Sequence, residues 1–181
     1  TGGTPLKSQE IRNCVFKSDF LNRLKELNKN EDWRTILGKK NIVKNQTDVE
    51  LILRIFGLSY KANEYEKPMK ELLNKIAKKN MKHSDKIEEF SERFVETCHI
   101  IVAQLRPKPF NVRGPFNMSV FDSVFCTLLN NISNLPNDLS ERYENLVKDE
   151  KFIELTTMGT TDEKVLKERF LYVENHLIKA E

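Results

Sequence analysis

Cysteine, tryptophan, glycine and proline are scarce in this chain, at three, one, six and six of 181 residues. The three thiols, Cys14, Cys98 and Cys126, are odd in number, far apart and set among apolar neighbours, with no C-x-x-C pair. A disulfide framework is therefore not expected, and the reading is of reduced, buried thiols in a cytoplasmic protein. No run approaches the roughly 18 apolar residues of a membrane span, and no signal-peptide pattern is present, so no membrane partner is expected. Low-complexity tracts and internal repeats are also missing. Charge of one sign is not in excess, with thirty basic residues against twenty-seven acidic ones and a formal net charge of +3. A dedicated nucleic-acid or membrane binder usually carries a more lopsided footprint, so only a local basic patch would serve that purpose.

What is present is helical periodicity. Hydrophobic residues are 39% and charged residues 31%, a somewhat polar profile that still supports a core for one domain over 1–181. Ser8 is placed to cap a first helix, and Ser18 a second with Phe20, Leu21, Leu24 and Leu27 on one face. A short helix carries Trp33, Ile36 and Leu37, closed by Gly38, and residues 39–46 form a polar, basic loop. Thr47 with Glu50 three residues on predicts a capping box for a helix apolar nearly all round, and hence central. Pro68 starts the next. The longest helix is expected from Asp85 to Leu105, with Ile87, Phe90, Phe94, Cys98, Ile101, Val102 and Leu105 inward. After a long loop through Gly114-Pro115, Ser119 is expected to cap a helix bearing Val120, Phe121, Val124, Phe125, Leu128, Leu129 and Ile132. A helix with Leu139, Tyr143 and Leu146, a short segment around Phe152, and a last helix capped by Thr161 or Asp162 complete the chain. The last buries Val165, Leu166, Phe170, Val173, Leu177 and Ile178. No run alternates with period two. The fold class is all-α, an irregular bundle of about eight to ten helices without a sheet.

The chemistry is thin. His83, His99 and His176 are scattered, with no i, i+4 pair for a helical zinc site, and His99 reads as a partly buried structural histidine. There is no G-x-S-x-G elbow, no complete phosphate-binding loop, and no serine or cysteine in an activating context, so neither catalytic residues nor metal ligands are assigned. Lys39, Lys40 and Lys44 share a loop, and Lys78, Lys79, Lys82 and His83 close a helix. Arg106, Lys108 and Arg113 are interleaved with Phe110 and Phe116, an arrangement that would suit bases or phosphates, although solvated or packing roles are the plainer reading. Thr1-Gly2-Gly3 could form a small anion nest or simply a turn, and Gln9, Glu10 and Arg12 follow on the first helix. A glycine pair and a proline leading into a helix read as a junction, with residues 1–7 the loop to an N-terminal piece that precedes this chain.

Several stretches resemble the GmrSD-type restriction and defence proteins. The first is Thr1-Gly2-Gly3-Thr4-Pro5-Leu6 with Gln9-Glu10-Ile11-Arg12-Asn13. It is joined by Trp33-Arg34 with Leu37-Gly38, Asp48 through Arg54 with Phe56, Pro68-Met69-Lys70 with Leu73-Asn74, Phe116-Asn117 with Val120-Phe121-Asp122, and Gly159-Thr160-Thr161-Asp162. The resemblance implies a bacterial module whose front half is a ParB-like, sulfiredoxin-like α/β domain with an Asp-Gly-Gln-Gln-Arg motif for nucleotide binding and hydrolysis. That parent would use GTP or ATP with magnesium, and some members add an HNH nuclease and cut modified or foreign DNA. This chain resembles the helical back half. It lacks both motifs, so neither catalysis nor a cofactor of its own is expected. On the resemblance, Thr1, Gly2, Gly3, Gln9, Glu10 and Arg12 would border the nucleotide pocket of the missing domain. The alternatives are a stand-alone helical module for protein partners and a nucleic-acid binder working through Arg106, Lys108, Phe110, Arg113 and Phe116.

Overall fold

The computed structural model describes residues 5–81 and 85–179. Among these residues the chain is all-helical, with ten α-helices and no strand. They are α1 (Ser8–Val15), α2 (Asp19–Leu27), α3 (Glu31–Leu37), α4 (Thr47–Lys61), α5 (Met69–Lys79), α6 (Asp85–Gln104), α7 (Met118–Asn130), α8 (Leu139–Leu146), α9 (Glu150–Leu155) and α10 (Glu163–Leu177).

Local signals account for most of the boundaries. The Ser18 hydroxyl accepts from the Leu21 amide at 3.3 Å, and Asn30 accepts from the Trp33 amide at 2.9 Å. Gly38 ends α3 in the left-handed conformation at φ +62. Three expected caps shift by a residue or two. Ser8, Thr47 and Ser119 all lie inside their helices, because the residue before each turn does the capping or the turn is stabilised otherwise. Asn117 accepts from the Ser119 and Val120 amides at 3.0 Å, so Ser119 is buried instead. Ahead of α4, Asn45 accepts from the amide and hydroxyl of Thr47, and Gln46 takes φ +56. Glu50 turns away from its own helix start, so no capping box forms there.

As its composition predicted, α4 is central. It packs on α7, α5, α2 and α1, while α10 covers α7 together with α8 and α9, and α3 lies along α6. One hydrophobic cluster joins the elements. Within it, rings touch from α2 to the α6–α7 loop: Phe20 on Phe56, Phe56 on Phe90, Phe90 on Phe94, Phe94 on Phe125, Phe125 on Phe121 and Phe121 on Phe110. Centroid distances of 4.9–5.7 Å are those of favourable aromatic pairs. The inward stripe of α6 is as expected except for Val102, which is exposed because it lies off the face that meets α3 and α7.

Gly57 sits buried in α4 where α5 crosses it. A Cβ there would lie 2.4 Å from Ile76 Cδ1. Helix propensity alone makes Gly→Ala favourable by about 1 kcal/mol, but the displaced Ile76 is itself packed. Gly57→Ala should therefore lower stability by roughly 1 kcal/mol in urea unfolding, the cost of overpacking prevailing. Ile76→Val removes the offending methyl, and the double variant should be more stable than the two single losses added together, by about 1 kcal/mol of coupling. A stabilised Gly57→Ala protein would show that the two helices part freely.

Candidate functional site

The first helix is mounted inside out. An amphipathic surface helix normally buries its apolar stripe. Here α1 buries Gln9 and Arg12, while Leu6, Ile11 and Val15 are 59%, 47% and 61% exposed. The Arg12 guanidinium explains the inversion. Its Nη1 donates to Glu50 Oε2 at 2.5 Å and to Gln9 Oε1 at 3.1 Å, and its Nε donates to Asn74 Oδ1 at 2.9 Å. One side chain thus ties α1 to both α4 and α5. Gln9 also donates to Asn13 at 3.2 Å, and Asn13 donates to Gln46. Glu10 accepts from the Lys7 amide at 2.8 Å, the reciprocal bond of a helix start. Of the residues expected to border a nucleotide pocket, Thr1, Gly2 and Gly3 lie outside the described residues. Gln9 and Arg12 face into the helical bundle, and Glu10 serves the start of α1.

Cys14 stands on the outer face of α1 with Ile11 and Val15, so the expectation of three buried thiols is corrected for this one. Ile11, Cys14 and Val15 recur at the three-four spacing of one helix face, opposite Gln9, Arg12 and Asn13. Cys98 and Cys126 are buried, and burial pushes both thiols well up from their ordinary value, which keeps them protonated and unreactive.

The loop between α6 and α7 was the candidate nucleic-acid contact, and most of it is welded down. Phe110 is fully buried between Phe116 and Phe121 and offers no ring face to a base, which removes it from that role. Phe116 is half-buried against the same rings. Tyr143 donates its hydroxyl to the Pro109 carbonyl, and burial pushes that hydroxyl's pKa up. Arg106 lies over the Tyr143 ring and 3.7 Å from Glu144. Arg113 donates to Thr156 Oγ1 at 2.6 Å, and Asn117 donates to the Thr156 carbonyl at 3.1 Å. Lys108 stays exposed at φ +52, with its stem running past Gly38.

Two buried ionic centres escaped the sequence reading. In the first, Arg34 donates to Asp48 Oδ2 at 2.8 Å, to Asn28 Oδ1 at 2.9 Å, and to the carbonyls of Lys39 and Asn41 at 2.8 and 2.6 Å. It pins the loop after α3. Burial raises the Asp48 carboxyl, but the Val43 amide and the Arg34 guanidinium outweigh burial and hold it below its ordinary value. In the second, Asp122 is fully buried and takes both Nε and Nη2 of Arg54 at 2.5–2.8 Å. Arg169, also fully buried, donates to the Leu155 and Thr160 carbonyls at 3.0 and 3.3 Å, and its Nε and Nη2 meet no acceptor among the described residues. Burial pulls its pKa down to about 10, with Asp122 opposing that pull. Arg169 sits beside the expected stripe of Leu166, Phe170 and Val173 and was not among the residues expected inward.

His83 lies outside the described residues. His99 is 75% exposed beside Asp32, which corrects its expected burial, and His176 stacks on Tyr172 at 4.0 Å. Among the described residues no three metal-ligating side chains converge, and no helix is long and apolar enough to cross a membrane. The chain matches no protein-family model, no curated protein and no solved structure.

Proposed function

We propose that this chain is the helical lobe of a larger, NTP-dependent and DNA-targeting defence protein of the type IV restriction kind. In this reading the lobe supports a ParB-like nucleotide-binding domain and performs no catalysis itself. The observation that carries it is the inverted α1. Ile11 and Val15 form an exposed apolar face on the first helix, with Leu6 exposed just ahead of it, and such a face gains free energy only when something covers it. The preceding domain is the occupant proposed here. Arg12 then acts indirectly: bonded to Glu50 and Asn74, it fixes the angle at which α1 offers that face. Thr1, Gly2, Gly3 and Glu10 would border the nucleotide, GTP or ATP with magnesium, bound by the parent domain, and an HNH nuclease would belong to the parent as well.

The test uses the reading frame that encodes this chain. An Asp-Gly-Gln-Gln-Arg motif upstream of Thr1 is expected, with nucleotide hydrolysis by the longer protein that Ile11→Asp with Val15→Asp abolishes. The Cys14 thiol should react with a maleimide in this chain alone and be protected in the longer protein. A frame without the motif, or hydrolysis by this chain unaided, would overturn the proposal. The same apolar face would then favour the stand-alone module for protein partners.

A further inference from the structure

The lysines of two loops far apart in sequence meet at one end of the molecule. α3 runs alongside the second half of α6: Asp32 reaches His99 near one end, and Gly38 meets Lys108 past the other. Both helices therefore deliver their following loops to the same place. The Lys108 stem comes within 3.7 Å of where a Gly38 side chain would begin, so it runs beside the backbone that leads directly into Lys39 and Lys40.

This end is built rather than loose. Arg34, buried and paired with Asp48, holds the Lys39 and Asn41 carbonyls and so fixes the backbone that carries the two lysines. Near the end of α3 the Thr35 and Arg34 carbonyls are met by the amides of Gly38 and Lys39, and no hydrogen bond from the Lys39 or Lys40 side chain is seen among the described residues. Lys108 is held in left-handed backbone, which a glycine would occupy without strain. Lys39, Lys40 and Lys108 are exposed and make no ion pair among the described residues. The acids nearby are engaged or few: Glu144 pairs with Arg106, Glu26 with Lys29, and Glu31 alone lines the adjoining groove with Lys29, Thr35 and Gly38.

We infer that Lys39, Lys40 and Lys108 form a single contact surface for the phosphodiester backbone of a nucleic acid. Three unpaired ammonium groups suit successive phosphates, because lysine serves as a point charge without geometric demand. The groove beside them favours a single phosphate chain over a plane of lipid headgroups. With Phe110 buried, no stacking platform adjoins the lysines, so recognition is of backbone and not of base. The inference names a contact for the DNA-targeting parent proposed above, but it uses different residues from the α1 face, so either can fail alone.

The experiment measures anisotropy of a labelled DNA duplex of about 20 base pairs with the whole chain at about 50 and about 200 mM salt. Three phosphate contacts predict an affinity loss of roughly 40-fold between the two salt concentrations. Lys39→Gln with Lys40→Gln and Lys108→Gln should weaken binding at low salt by about tenfold or more and flatten the salt slope. Lys78→Gln with Lys79→Gln, on α5, should leave both unchanged. Lys108→Gly alone relaxes the backbone and removes one charge; it should bind several-fold more weakly without melting earlier, which keeps the test valid if the triple variant unfolds. Absence of binding at low salt, or equal losses in the α5 variant, would overturn the inference. So would tighter binding to vesicles of equal parts phosphatidylcholine and phosphatidylserine that the triple variant abolishes.

Discussion

Asp122→Asn should destabilise the protein by about 3–5 kcal/mol, the range found when one partner of a buried ion pair is removed. The carboxylate is fully buried and takes both Nε and Nη2 of Arg54 from α4, while Arg169 of α10 lies close enough to feel its charge. One negative charge therefore answers the partly buried guanidinium of Arg54 and the fully buried one of Arg169 at the junction of α4, α7 and α10. The amide keeps the shape and loses the charge. Arg54 would then face a neutral group that accepts on one side only, and Arg169, already short of two hydrogen-bond partners, would lose its nearest compensating charge. Urea unfolding followed by circular dichroism measures the loss. A second variant separates charge from shape: adding Arg169→Met to Asp122→Asn should recover part of it, because the uncompensated positive charge in the core falls by one. If Asp122→Asn unfolds at the wild-type urea midpoint, the centre is wetter than its burial indicates.

Trp33→Ala should cost a comparable amount, about 3–5 kcal/mol, through a different mechanism. The indole has no exposed surface and lies 5.4 Å from Phe94, 5.9 Å from Phe121 and 6.1 Å from Phe125, and its Nε1 donates to Asn28 at 2.9 Å. Truncation opens a cavity where α3, α6 and α7 share rings, and helices held on three sides cannot collapse into it. Asn28 Oδ1 still accepts from Arg34, so the loss is one of packing more than of an orphaned acceptor. Trp33→Phe keeps most of the volume and should cost about half as much. Equal losses for the two variants would assign the effect to the indole hydrogen bond and not to the cavity.

The helical architecture was legible because its signal is local. The stripe Ile87, Phe90, Phe94, Cys98 and Ile101 defines α6 unaided, and Gly38 marks the end of α3 by its own conformational freedom. The functional surfaces were legible only in part, since they depend on partners distant in the chain. Arg12 goes inward because Glu50 and Asn74, thirty-eight and sixty-two positions away, receive it. Arg169 goes inward because Asp122 and two carbonyls wait there. Phe110 suited either stacking or packing by its neighbours in the sequence, and it packs, fully buried between Phe116 and Phe121. The placement of Lys108 beside Gly38 depends on how α3 lies along α6, and no window of sequence contains that.

How α1 is fastened has a mechanical consequence. The side chains that α1 buries against α4 and α5 are polar, Gln9 and Arg12, and they are held by the Glu50 carboxylate and the Asn74 carboxamide. Sliding or lifting the part of the helix that carries Gln9 and Arg12 exchanges polar partners for water. A shift of that polar contact therefore trades hydrogen bonds for water while the aromatic chain of α4, α6 and α7 keeps its packing.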